Sequence, residues 1–281
     1  MVERKTAVVT GGTSGLGEAA SVALGQAGYR VLIVGRDEAR GADVAKRAGN
    51  GSRFFAADLF SLADVRRLVD RLRRIAPKID LLVNNAGGVF SKGEPTVDGL
   101  ERTFALNVAA PYVLTEGLLE SLAAAKGRVV NVVTGLQASM KTRLDQLVGD
   151  EAKGGMFGYA RNKLALLALT IAEEEHWGGR GITFAAFHPG IIPTTRFGHT
   201  MTGFNPFTTI GPAIAKLFRI GVTEDVAADR YLALATEPLE PAGYYFEGTL
   251  RPPPKQLADA NFIESVWELV ATQTHAGRAA A

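Results

Sequence analysis

The chain alternates short apolar runs with longer segments in which apolar residues recur every three or four positions. Uninterrupted apolar runs predict strands buried on both faces of a parallel sheet, and the three-to-four spacing predicts helices that bury one side. Six strands are predicted, over residues 6–12, 30–37, 52–59, 79–88, 127–135 and 181–190. Helices are predicted over 17–28, from 38 to about 48, and over 61–77, 99–125 and 156–177, with Ser61 as an N-cap.

This alternation of strands and helices predicts an α/β fold, a single doubly wound parallel sheet of the Rossmann type with helices on both faces. Fixed-period repeats and low-complexity linkers are absent from the sequence, so we expect one domain over 1–281 with a frayed tail from about 275 to 281. The segment of about 191–222 differs, being rich in glycine, proline, threonine and phenylalanine. Because ligands gather at the strand ends of such sheets, we interpret it as a substrate lid, with a packed surface excursion as the alternative.

Composition narrows the possible functions. Of the 281 residues 47% are apolar, and the net charge of +2 gives no reason to expect nucleic acid or an anionic membrane as a partner. The sequence has no cysteine, which excludes disulfides and thiolate chemistry, and its four histidines lack metal-ligand spacing. No apolar run reaches the ~18–20 residues of a membrane span. The first strand starts too early for a signal peptide, so we expect a cytoplasmic protein.

The stretch "TGGTSGLG" (10–17) joins the first predicted strand to the first predicted helix. Glycines there permit positive φ and let backbone amides approach a pyrophosphate, and the helix N-terminus adds positive potential. A merely tight turn is the alternative. The predicted cofactor contacts in this stretch are Gly11, Thr13, Ser14, Gly15, Leu16 and Gly17.

The end of the second strand bears on the choice of dinucleotide. An acidic residue there would hold the ribose 2′-hydroxyl of NAD, but this place falls to Gly35, with Arg36 next. Gly35 brings no carboxylate that would repel a 2′-phosphate, and Arg36 brings a planar cation that could bind one. Together they predict NADP(H) as the cofactor. Asp37 follows, so a strand that ended one residue later would reverse the prediction towards NAD(H). The alternative for Arg36 is a solvated loop residue.

Tyr159 and Lys163 lie four residues apart at the start of a predicted helix and therefore share one face. A tyrosine has a pKa of about 10, and a nearby ammonium lowers it. Such a tyrosine could donate a proton to a carbonyl oxygen, although a Tyr–Lys pair at this spacing is also common on helix surfaces. Upstream, Thr134 ends the fifth predicted strand and could supply a hydroxyl.

In context these motifs resemble the short-chain dehydrogenase/reductase family. "TGGTSGLG", "NNAG" (84–87), Asn107, "YARNK" (159–163) and "HPG" (188–190) follow one another in its order and spacing over nearly the whole chain. Linking phrases such as "DLFSLADVRRL" and "TVDGLERTFALNV" are most similar to its retinol-dehydrogenase-like and protochlorophyllide-reductase-like branch.

The resemblance implies specific roles. Tyr159 would be the acid/base, Lys163 would lower its pKa and bind the nicotinamide ribose, and Asn107 would hold a water in a proton relay or merely bond backbone. Asp58 would bind adenine or cap the next helix. The other implied cofactor contacts are Leu59, Asn85, Ala86, Gly87, Pro189, Gly190, Ile192 and Thr194. The long helices over 99–125 and 156–177 are where the family pairs subunits, so a homodimer or homotetramer is expected.

Thr134 departs from the family, which usually has serine at this position. Threonine keeps the hydroxyl, but its methyl group stiffens χ1 and crowds the pocket. The expected function is NADPH-dependent reduction of a ketone or aldehyde of a small lipophilic substrate, reversible as alcohol oxidation. The alternatives are a reductase of carbon–carbon double bonds and a catalytically weak NADP(H)-binding sensor or scaffold.

Overall fold

The computed structural model describes residues 4–91, 95–139, 141–148, 152, 154–190 and 222–275. Nearly all of the predicted lid, with Ile192 and Thr194 in it, lies outside the described residues, as does the chain beyond 275.

Within the described residues, eight strands form one sheet in the order β3-β2-β1-β4-β5-β6-β7-β8. Strands β1 to β7 are parallel, and β8 runs antiparallel to β7 at one edge. Their bounds are β1 Thr6–Thr10, β2 Arg30–Gly35, β3 Arg53–Ala56, β4 Leu81–Asn84, β5 Arg128–Val132, β6 Thr183–His188, β7 Gly243–Phe246 and β8 Thr249–Arg251. The predicted doubly wound sheet is confirmed, with two strands more than the six predicted.

The helices of this part of the chain cover both faces of the sheet. Their bounds are α1 Gly15–Gln26, α2 Glu38–Ala48, α3 Leu62–Ile75, α4 Arg102–Phe104, α5 Ala110–Ala125, α6 Gly155–Trp177, α7 Glu224–Thr236 and α8 Ala260–His275. Ser61 caps α3 as predicted, because its hydroxyl accepts from the Asp64 N–H at 3.3 Å. None of the helices described here is long and apolar enough to cross a lipid bilayer.

The predicted continuous helix over 99–125 is interrupted. It begins at Arg102 and passes through a wider π-helical turn, Ala105–Ala109, before α5 starts. In that turn the Ala110 N–H bonds to the Ala105 carbonyl, five residues back. Pro111 follows directly and has no N–H for the ordinary helical bond, which accounts for the change of register here. Asn107 lies in the π turn, and such turns are frequent at functional sites.

Two apolar cores lie on opposite faces of the sheet. The larger contains side chains of α3, α5, α6 and α8, and the smaller contains side chains of α1, α2 and α7. On the larger face Trp267 of α8 packs edge-on against Tyr112 of α5, with ring centroids 5.4 Å apart, and against Trp177 of α6 at 4.8 Å. Helix α8 therefore covers part of the two long helices from within the same chain.

The strand order creates a crevice where the site is expected. From β1 the chain runs outward to β2 and β3, then returns to the other side of β1 to form β4. In open α/β sheets, ligands bind beyond the carboxyl ends of the strands at this reversal. The glycine turn after β1 and the "NNAG" turn after β4 flank that crevice.

Candidate active site

The glycine turn leads directly into α1, which begins at Gly15, two residues earlier than predicted. The first backbone N–H groups of a helix have no partner within it, so those of 15–17 supply donors at the crevice. Ser14 is the N-cap residue but makes no capping hydrogen bond there. A Cβ at Gly17 would collide with the Gly11 carbonyl and the Asn85 side chain, so α1 packs this closely only with glycine. The cradle fits a pyrophosphate.

The turns after β1 and β4 are joined by the Thr10 hydroxyl, for which the sequence predicted no role. Thr10 Oγ1 accepts from the N–H groups of Asn85 and Ala86, both at 3.0 Å, and donates to the Val83 carbonyl at 3.3 Å. Asn85 Nδ2 donates in return to the Thr10 carbonyl at 2.8 Å. The available signal was Thr10 itself, a polar residue ending an otherwise apolar strand.

The last residue of β2 is a glycine in a crowded position. The strand ends at Gly35 as assumed, and a Cβ there would lie 2.7 Å from Cγ2 of the buried Thr13. Asp37, which could have reversed the cofactor prediction, is instead the N-cap of α2. Its carboxylate accepts from the Arg40 N–H at 3.0 Å and pairs with Arg40 Nε at 3.3 Å. The carboxylate that follows this strand most closely in sequence is thus engaged with its own helix.

Two guanidinium groups lie close to the ring of Phe60. Arg36 Cζ is 5.9 Å from the Phe60 ring centroid, and Arg102 Cζ is 4.5 Å from it. Neither arginine forms an ion pair with a carboxylate of the described residues. Arg102 was not predicted, since it is 66 positions from Arg36 in the sequence.

Asp58 lies next to this cluster, after β3. Its Oδ1 accepts from the Phe60 N–H at 3.1 Å, and its backbone N–H donates to Asp64 Oδ2 at 2.6 Å. The suggestion that Asp58 caps the following helix is wrong, because Ser61 does so. Adenine binding by Asp58 stays a prediction.

Lys163 ties the Tyr159 helix to the end of β5. Its Nζ donates to the Val132 carbonyl at 2.6 Å and lies 5.8 Å from the Tyr159 ring centroid. Both side chains are buried. Burial lowers the pKa of Lys163 to about 7 and raises the pKa of the Tyr159 phenol above its ordinary value. The expected lowering of the Tyr159 pKa is therefore wrong for this structure, because burial of the phenol raises its pKa.

The side-chain amide of Asn107 forms hydrogen bonds with backbone groups beside the crevice. Its Nδ2 donates to the carbonyls of Thr103 and Gly88, at 2.8 and 3.0 Å, and its Oδ1 accepts from the Gly88 N–H at 3.3 Å. The backbone-bonding alternative is thus confirmed, and the water relay stays a prediction. A Cβ at Gly87 would lie 2.7 Å from Asn107 Oδ1 and 3.2 Å from Lys163 Nζ, so all three residues converge.

Thr134 follows β5 two residues after the carbonyl that holds Lys163. Its Oγ1 accepts from the Leu136 N–H at 3.4 Å, which leaves the hydroxyl proton to donate elsewhere. Large apolar side chains are exposed close to Thr134 and Tyr159 in the sequence. Leu136 is 48% and Phe157 71% exposed, so apolar side chains that are open to solvent lie near these two residues along the chain.

Two residues of α7, which no sequence pattern identified, bond to the turns that line the crevice. Arg230 Nη1 donates to the Pro189 carbonyl at 2.6 Å, and the Tyr231 hydroxyl donates to Asn85 Oδ1 at 3.0 Å. Gly190, which follows Pro189, has φ +108°. The predicted "HPG" and "NNAG" turns are thus linked through one helix.

Comparison with known proteins agrees with this arrangement. The family model described as short chain dehydrogenase matches residues 5–202. A candidate daunorubicin C-13 ketoreductase of Streptomyces sp. (strain C5) is 33% identical, over 94% of this chain and 90% of that protein. Human retinol dehydrogenase 13 is 29% identical, over 94% of this chain and 82% of that protein. The Pseudomonas aeruginosa RhlG/NADP active-site complex is 25% identical with a TM-score of 0.70, over 88% of this chain and 96% of that one.

Proposed function

Because the chain belongs to the short-chain dehydrogenase family, we propose that it is an NADPH-dependent reductase of ketones or aldehydes, able to run in reverse as an alcohol dehydrogenase. The observation that carries this proposal is the convergence of Lys163, Asn107 and Gly87 beside the crevice, with Tyr159 on the same helix face as Lys163. A buried phenol and a buried amine are unusual in a merely structural helix, and perturbed groups of this kind cluster at functional sites.

Each residue has a distinct part in the proposed reaction. Bound NADPH supplies the hydride that reaches the carbonyl carbon. Tyr159 gives its phenolic proton to the carbonyl oxygen, completing the alcohol, and the raised pKa keeps the phenol protonated for this step. Thr134 donates its hydroxyl hydrogen bond to the same oxygen. Lys163, with a water held at Asn107, returns a proton to the phenolate.

The cofactor is proposed to lie across the crevice with its phosphates at the α1 N-terminus. Three features support NADP(H) over NAD(H): the crowding of Gly35 by Thr13, the engagement of Asp37 in α2, and the absence of an ion pair between Arg36 and any carboxylate of the described residues. Arg102, whose Cζ lies 4.5 Å from the Phe60 ring centroid, adds a second cation to the proposed 2′-phosphate site.

The substrate class is proposed to be lipophilic. The exposed side chains of Leu136 and Phe157 lie within two residues of Thr134 and Tyr159, where a substrate carbonyl has to be held. Polar substrates would leave this apolar surface in water, whereas a polycyclic or long-chain ketone would cover it. The predicted lid over about 191–222 is part of this proposal.

The catalytic assignment is tested by Tyr159→Phe. NADPH consumption is followed with a panel of lipophilic ketones and aldehydes, and NADPH binding is measured separately by thermal stabilisation. We expect kcat to fall by roughly 10²–10⁴-fold while NADPH still raises the melting temperature. The matched control is Tyr245→Phe, whose hydroxyl accepts from the Glu240 N–H away from the crevice and should not affect kcat.

Other outcomes of this test identify the alternatives. A reduced carbon–carbon double bond in the product, read from its mass and regiochemistry, would indicate the double-bond reductase. Stabilisation by NADPH without turnover of any compound, in the wild type as in the variant, would indicate the sensor or scaffold.

The cofactor assignment is tested by Arg36→Ala, with Lys46→Ala, an exposed cation of α2, as the control for general loss of positive charge. We expect the Kd for NADPH to rise about tenfold or more in Arg36→Ala, the Kd for NADH to stay unchanged, and Lys46→Ala to leave both unaffected. Equal NADPH affinity in wild type and Arg36→Ala would contradict the 2′-phosphate contact.

The proposed assembly is a homo-oligomer of cytoplasmic, single-domain subunits. Helix α8 packs on the helices through which the family pairs, so an interface there has to include α8. Light scattering is expected to give a multiple of the 29.8 kDa chain mass, and a single chain mass would contradict this proposal.

A further inference from the structure

We propose that Arg230 and Tyr231, neighbours on α7, are positioning residues that hold the two backbone turns on either side of the nicotinamide, and that Tyr231 thereby sets the affinity for NADPH. The inference rests on the proposed function, since it takes the crevice to be the cofactor site. Both contacts are made by one helix, although the two turns follow different strands, β6 and β4.

Tyr231 fixes the orientation of the Asn85 side chain. The phenol is 1% exposed, its ring packs edge-on against Phe187 at 5.0 Å, and its hydroxyl donates to Asn85 Oδ1 at 3.0 Å. The amide nitrogen of Asn85 donates to Thr10 at 2.8 Å. With both ends bonded, the amide cannot rotate without breaking a hydrogen bond. The Asn85 backbone therefore stays in place between β1 and α7.

Arg230 holds the other turn. Its Nη1 donates to the Pro189 carbonyl at 2.6 Å, and its Nη2 lies 3.5 Å from Glu247 Oε2. A Cβ at Gly190 would lie 2.9 Å from Nη1, so the guanidinium packs directly on this turn. On the strand side, the Glu247 N–H donates to the His188 carbonyl at 2.8 Å. The "HPG" backbone is thus held by Arg230 and Glu247 together.

The far end of α7 is anchored independently of the crevice. The Tyr29 hydroxyl donates to the Ala235 carbonyl at 3.2 Å, and Arg128 Nη1 donates to the carbonyls of Leu234 and Glu237, at 2.8 and 2.6 Å. Tyr29 directly precedes β2, and Arg128 is the first residue of β5, so both lie at the amino ends of the parallel strands. Helix α7 is therefore hydrogen-bonded at one end to residues at the amino ends of β2 and β5 and at the other end to the "HPG" and "NNAG" turns.

The test compares the hydroxyls of Tyr231, which bonds to Asn85 at the crevice, and Tyr29, which bonds to the far end of α7. Tyr231→Phe removes only the hydroxyl and leaves Asn85 Oδ1 without that donor. We expect the Kd and KM for NADPH to rise about tenfold, with kcat at saturating NADPH within about twofold and the pH profile of kcat unmoved, because the proton-transfer groups are untouched. Tyr29→Phe removes the anchor hydroxyl and should lower the melting temperature without changing the Kd for NADPH.

Direct measurement of NADPH binding separates this inference from the proposed reaction. An unchanged Kd in Tyr231→Phe, or equal weakening in Tyr29→Phe, would overturn the positioning role while leaving the reductase proposal intact. Weaker binding in Tyr231→Phe alone supports it even if no carbonyl compound is turned over. A wild-type chain that binds neither NADPH nor NADH would overturn both. Arg230→Lys, which keeps the charge but loses the planar fork, is expected to weaken NADPH binding as well.

Discussion

Glu173 offers a quantitative test of how burial controls ionisation in this fold. It lies in α6, is fully buried, and one of its carboxyl oxygens accepts from Asn131 Nδ2 at 2.8 Å. The other oxygen has no hydrogen-bond partner among the described residues. Burial raises the pKa of Glu173 from 4.5 to about 8. At pH 7 the carboxyl is therefore protonated in the folded state and ionised in the unfolded state.

The sign and size of the effect follow from linkage. Between pH 4.5 and about 8 the folded chain binds one proton more than the unfolded chain at this group, so stability is lost as pH rises through this window. Each pH unit costs about 1.4 kcal/mol, which accumulates to roughly 3 kcal/mol at pH 7. Glu173→Gln cannot ionise and keeps an acceptor for Asn131. We expect it to remove this loss.

The assay is urea unfolding of wild type and Glu173→Gln at pH 5, 6, 7 and 8.5. The variant's advantage in free energy of unfolding should be below about 1 kcal/mol at pH 5 and reach roughly 3 kcal/mol at pH 7. Glu175→Gln, an exposed glutamate of the same helix, is the control and should show no such growth. An advantage that does not change between pH 5 and 8 would refute the argument, since it would mean that Glu173 is ionised in the folded protein.

Two predictions concern the site itself. The pKa of Lys163, lowered to about 7, predicts that kcat/KM for NADPH in the reductive direction falls about tenfold per pH unit above 7, because this parameter reports the free enzyme and the ammonium is lost there. A flat profile from pH 6 to 9 would contradict that role. Gly35→Asp should weaken NADPH binding without creating NADH binding, because its Cβ would lie 2.7 Å from Thr13 Cγ2 and force Thr13 to move. A folded variant that prefers NADH in a titration with both cofactors would disprove the crowding argument.

Much of this protein was determined locally and could be predicted from the sequence. Buried parallel strands require uninterrupted apolar runs, and helices require apolar residues every three or four positions. Both patterns can therefore be recognised in short stretches of sequence. The glycine turn, the Ser61 cap and the Tyr159–Lys163 spacing likewise depend on neighbours within a few residues. The elements after residue 222 were not predicted: α7, α8, β7 and β8 are all additions, and β8, Thr249–Arg251, has three exposed residues and no apolar pattern to indicate it.

Only the tertiary structure decided how these pieces act together. Tyr231 meets Asn85 across 146 positions, and Thr13 crowds Gly35 across 22, contacts that no local pattern encodes. The ionisation of Tyr159 and Lys163 is of the same kind. From spacing alone the amine should lower the phenol's pKa, yet packing around α6 removes water from both groups and reverses the shift. Spacing along a helix is a property of the backbone, whereas solvation depends on every element that packs against it.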